Sequence, residues 1–144
     1  MTPEQMLLQG FDYDLWANRT WLRALGRFTD MERPHAVLEH ILTAQRHWLK
    51  VCGVHIFHDE DNVALDQIFK EVSDAWKGFV EVVDLDAQID ITKPDGPEQT
   101  LTAMELAWHV LNHGTYHRGH LRGLAEREGW DPPETDFLVY IVEL

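Results

Sequence analysis

A chain of 144 residues with 44% hydrophobic content and one cysteine is long enough to bury a core without covalent staples, and a lone thiol excludes an internal disulfide framework. The formal net charge of −13, with no basic block, repels phosphate backbones and argues against nucleic-acid binding. Nowhere do about 18 apolar residues run together, so no membrane span is expected. Met1-Thr2-Pro3-Glu4-Gln5 has neither the basic start nor the apolar run of a secretory signal. One cytoplasmic domain over residues 1–144 is expected.

Thr2 can cap a first helix, with Pro3 at the first helical position and Gln5 completing a capping box. Met6, Leu7, Phe11, Leu15, Asn18, Leu22 and Leu25 then follow helical spacing up to Gly26. A second helix starts near Pro34 and carries Val37, Leu38, Ile41, Leu42, Trp48 and Leu49 to Gly53. Cys52 at its end reads as a small buried hydrophobe rather than a nucleophile. The polar stretch GVHIFHDEDN follows as an irregular crossover, with Asp59-Glu60-Asp61 as a solvated tract.

A third helix is predicted over positions 63–83, with Leu65, Ile68, Phe69, Val72, Trp76, Phe79 and Val83 on its apolar stripe. Ile89 and Ile91 alternate with polar residues before the turn signal Pro94-Asp95-Gly96, which predicts a small hairpin. Thr102 with Glu105 is a second capping box and opens a fourth helix that lasts to Gly129. After Trp130-Asp131-Pro132-Pro133 the apolar tail ETDFLVYIVEL is expected to pack back on the rest. The fold class is therefore all-α: a four-helix bundle with a hairpin before the fourth helix.

The stretch HVLNHGTYHRGHL, residues 109–121, holds four histidines. At about 100° per residue, His109, His113, His117 and His120 share one helical face. His113 and His117, four apart, can reach one ion, but a metal centre with an open position commonly takes three protein ligands. The metalloprotease pattern is excluded, because Val110, Gly114 and Arg118 stand where it needs Glu. The di-iron bundle pattern of Glu-x-x-His on two helices is also absent. His35, His40, His47, His55 and His58 are the choices for a third ligand. His40 lies in an apolar run, yet His47, seven residues on, shares its face, and spacing does not separate them. From spacing alone a metal site and a packed or proton-binding histidine cluster stand level.

Four segments, YDLWANRTWL, LEHILTAQRHWL, HVLNHGTYHRGHL and DFLVYIVEL, give the chain a resemblance to the DinB-like family of metal-binding helical bundles. That family includes bacillithiol- and mycothiol-dependent transferases. The most specific piece is Asn-His-x-x-x-His-Arg-Gly, here Asn112 to Gly119. The resemblance implies a metal triad of His40, His113 and His117, with His47 left at the surface or behind the ligands. His120 stands where relatives often carry glutamine, and is read as a neutral replacement. The implied cofactor is one divalent ion, nickel or zinc foremost and iron as a further option, with a low-molecular-weight thiol as co-substrate. The implied activity is a metal-dependent thiol S-transferase acting on an electrophilic small molecule. A hydrolase using metal-bound water and a non-catalytic metal-binding stress-response module are the alternatives. No catalytic residue beyond the metal ligands is assigned. A homodimer is also implied, with Trp16, Trp21 and Trp76 as candidate contacts. Asn18 and Trp16 are candidates for the cavity wall or the core, and Asn112 and Tyr116 for support of the ligands or packing. In so acidic a chain Arg118 is expected to pair with a surface carboxylate.

Overall fold

Both capping boxes form. In the computed structural model, which describes residues 1–56, 63–92, 95–96 and 98–143, the Thr2 hydroxyl accepts from the Gln5 N–H at 3.1 Å. The Gln5 side chain accepts from the Thr2 N–H at 2.8 Å. They open α1 (Pro3–Ala24), which tightens into a 3-10 turn over Leu25–Arg27. The second helix, α2 (Glu32–Val51), begins two residues before the predicted start. Pro34 thus falls in the first turn, where a missing N–H costs nothing. The third, α3 (Leu65–Val82), is two residues shorter than predicted at its start and one at its end. His58, the tract Asp59-Glu60-Asp61 and Pro94 lie outside the described residues.

Strands β1 (Gln88–Thr92) and β2 (Glu98–Thr102) pair antiparallel, with Gln88 opposite Thr102 and Thr92 opposite Glu98. Thr102 ends β2 and caps α4 (Ala103–Glu128) in the same position. At the far end of α4, Gly129 adopts φ +86°, a left-handed cap open to glycine without strain. The tail forms α5 (Phe137–Glu143), where Phe137 and Tyr140 pack on Tyr13.

Each long helix has two principal neighbours: α1 lies against α3 and α4, and α2 against α4 and α3. The first and second helices therefore stand on a diagonal of the bundle. The core runs through Leu7, Phe11, Trp21, Leu38, Ile41, Leu49, Phe69, Trp76, Leu106 and Leu121. Trp76 stacks on Phe11 with ring centroids 5.3 Å apart, and its indole N–H donates to the Gln45 carbonyl. Trp21 and Trp76 are fully buried, which removes them as dimer contacts; Trp16 is half-buried against Tyr140. The exposed large apolar side chains include Trp108, Tyr116, Leu138 and Val142. Among the described residues no helix is long and apolar enough to cross a membrane.

Candidate metal centre

The buried face of α4 reads Ala103, Leu106, Ala107, Val110, Leu111, Gly114, Arg118, Leu121 and Ala125. His113 and His117 sit at the edge of that face, half-buried, in the seam with α2. The two rings stand one turn apart, with their Nε2 atoms 3.1 Å from each other. His40 enters from α2 on the exposed side of the seam. Its ring centroid is 4.4 Å from that of His117 and 5.1 Å from that of His113. One ligand nitrogen from each of the three lies within 4.8 Å of the others.

Burial pushes the His113 pKa down to about 4, and the charges that His117, His40 and His109 can carry push it the same way. His117 is lowered too, by burial first and then by His40, His120 and Arg33. A depressed pKa keeps the imidazole neutral, which is the form that donates a lone pair to a metal.

His47, His109 and His120 stay outside the cluster of three. His47 sets its ring against Trp48 and falls outside the group whose ligand nitrogens lie within 4.8 Å of one another, whereas His40 falls inside it. His109 touches both His113 and Trp48 at 5.7 Å between centroids, and stays outside the cluster of three. His120 is exposed. Tyr116 is 74% exposed and sets its ring edge-on to His117 at 5.1 Å, so it flanks the cluster rather than packing in the bundle. Asn112 is exposed and lines a cavity of about 220 Å³ with Tyr13, Trp108 and Phe137 on the α1 side of α4.

Arg118 corrects the sequence-based expectation. It is 3% exposed and pairs with Asp14 of α1, itself buried, at 2.7 Å. Asn18 joins this pair inside the bundle rather than lining a cavity at the histidines. A signal for it was present. Asp14 and Asn18 recur four residues apart among Phe11, Leu15 and Trp21, and a carboxylate on an apolar stripe needs a buried partner. Cys52 packs at the core margin, and burial pushes its thiol up to about 11.

The family model described as "DinB family" matches residues 3–143. Protein DinB of Bacillus subtilis (strain 168) is 24% identical over 157 aligned positions, covering 91% of this chain and 91% of that protein. No solved structure gives a significant match. With a helical bundle, a histidine cluster in the α2–α4 seam and a family match over nearly every residue, the chain belongs to the DinB family.

Proposed function

We infer that this chain holds one divalent ion on His40, His113 and His117 and serves as a metal-dependent thiol S-transferase toward electrophilic small molecules. The observation that carries the metal reading is the 3.1 Å separation of the His113 and His117 Nε2 atoms. Two nitrogens each about 2.0–2.1 Å from one ion stand about 2.9 Å apart at a right angle and about 3.4 Å apart at a tetrahedral angle. The separation falls between those limits. Three imidazole nitrogen donors suit nickel, zinc and iron alike.

An ion held by His40, His113 and His117 would supply Lewis acidity, which would lower the pKa of a thiol that reaches it. The chain's own residues do the rest. Burial of His113 keeps protons from competing for its lone pair near neutral pH. His40, exposed on the outer side of the seam, leaves that side open to a small molecule. Farther along α2, Thr43, Arg46, His47 and Lys50 line a cleft of about 540 Å³ with Val54, His55 and Ile56, and none of the three clustered histidines lines it. Tyr116 covers one flank of His117 with an aromatic edge. Cys52 is too basic and too enclosed to serve as the nucleophile.

The test is elemental analysis of tag-free protein prepared without chelator, wild type beside His117→Ala. About one ion per chain in wild type and none in the variant is the expected result. A metal-free wild type that cannot be reloaded with nickel or zinc overturns the reading. Thiol transfer to an electrophilic aromatic is then assayed with the retained metal, and its absence across thiols removes the transferase while leaving the metal.

A further inference from the structure

One carboxylate connects the two helices that carry the histidines. Asp14 Oδ1 accepts from Arg118 Nη1 of α4 at 2.7 Å, and Asp14 Oδ2 accepts from Gln45 Nε2 of α2 at 2.6 Å. Asn18 closes the network: its Nδ2 donates to Asp14 Oδ2 at 3.1 Å, and its Oδ1 accepts from Arg118 Nη1 at 2.8 Å. Arg118 Nη2 also reaches the Thr115 hydroxyl at 3.3 Å. Asp14, Asn18, Gln45 and Arg118 are all buried. Arg118 directly follows His117, and Gln45 lies just over one turn beyond His40. Gly114, between the two α4 histidines, gives the network its space. A Cβ there would lie 2.6 Å from Asp14 Oδ1 and 2.9 Å from Arg118 Nη1.

Apolar side chains of similar volume would fill this site at equal or lower free energy, because burial strips both charges of water. Apolar contacts are also non-directional, so they leave α2 free to shift along α4. Hydrogen bonds at these distances permit one register. We propose that Asp14 is a positioning residue: through Gln45 and Arg118 it sets α2 against α4 and so brings His40 to the His113–His117 pair. For its functional meaning this rests on the metal-centre reading above.

Gln45→Met tests it, since that variant cuts the α2 arm and leaves the Asp14–Arg118 pair intact. Two readouts apply: Co²⁺ titration followed by the visible ligand-field bands, and nuclear Overhauser contacts between imidazole protons in metal-free protein. Co²⁺ affinity should fall about ten- to a hundredfold with shifted bands. The His40–His117 contact, across helices at 4.4 Å between centroids, should weaken. The His113–His117 contact, at 4.4 Å within α4, should remain. The double variant Asp14→Leu/Arg118→Met should show the same losses even where its unfolding midpoint equals or exceeds that of wild type. A purely structural role predicts that restored stability restores Co²⁺ binding. Should the double variant fail to fold, Gln45→Met alone decides. Affinity within about twofold of wild type, unshifted bands and both contacts intact would overturn the proposal. If wild type takes up no Co²⁺, the metal reading fails, and the imidazole contacts alone decide the positioning role.

Discussion

Replacing Gly114 with alanine sets two effects of opposite sign against each other. Alanine in place of glycine within a helix gains about 1 kcal/mol. Against that, the new methyl would sit 2.6 Å from Asp14 Oδ1 and 2.9 Å from Arg118 Nη1. Both partners are 3% exposed and cannot swing into solvent. Overpacking costs about 1–3 kcal/mol, and losing a buried ion pair about 3–5 kcal/mol. The helix gain offsets about 1 kcal/mol of either cost, so Gly114→Ala should destabilise by about 0–2 kcal/mol if the site only overpacks and by about 2–4 kcal/mol if the pair breaks. Gly119→Ala and Gly123→Ala, whose added Cβ meets nothing within 4 Å, take the helix gain alone and should stabilise by about 0.5–1 kcal/mol each. Urea unfolding of the three variants beside wild type measures the sign directly. If Gly114→Ala stabilises as much as the other two, the ion pair is not seated against α4 as described, and the reasoning fails.

His47→Ala and His120→Ala should retain the metal that His40→Ala loses, and elemental analysis showing the reverse would move the third ligand. The metal-free protein should lose stability as pH falls from about 6.5 towards 4: His113 takes up its proton at about 4 when folded and near 6.5 when unfolded, so the unfolded chain binds more protons across that window. His113→Gln should flatten that slope in urea unfolding measured across the same range, and an unchanged slope would show that His113 does not carry it. Cys52, with its thiol pushed up to about 11, should alkylate with iodoacetamide at about pH 8 at least tenfold slower in native protein than in urea; equal rates would contradict its enclosure. Thr102→Ala should cost about 1 kcal/mol by removing the cap of α4, again read from unfolding midpoints.

Local rules served the helix ends well, because Thr2 with Gln5 and Thr102 with Glu105 form hydrogen bonds within one turn and depend on no distant partner. The same holds for Gly129 and for the hairpin, which is a short-range pairing. What spacing left open was tertiary. His40 and His47 lie on one face of α2, and only the packing of α4 against that helix brings one of them to His113 and His117. Trp21 and Trp76 are buried although the sequence admits them as contacts, since an aromatic at helical spacing does not show which neighbour covers it. Arg118 was misplaced for another reason. A strongly acidic composition describes the average surface, whereas the fate of one guanidinium is decided by the single carboxylate that α1 turns inward.

The two α4 histidines are local in sequence, while His40 comes from a different helix. A pair four residues apart persists in any fragment of α4 that keeps one helical turn, so a chain that has lost its bundle still offers a two-point chelate. An ion that the folded protein binds can also be bound by its denatured ensemble, and ligand binding to both states subtracts from the apparent gain in midpoint. Thermal shift on metal loading therefore reports a difference of two affinities, and the contribution of His40 is the portion of that difference that only the native arrangement can provide.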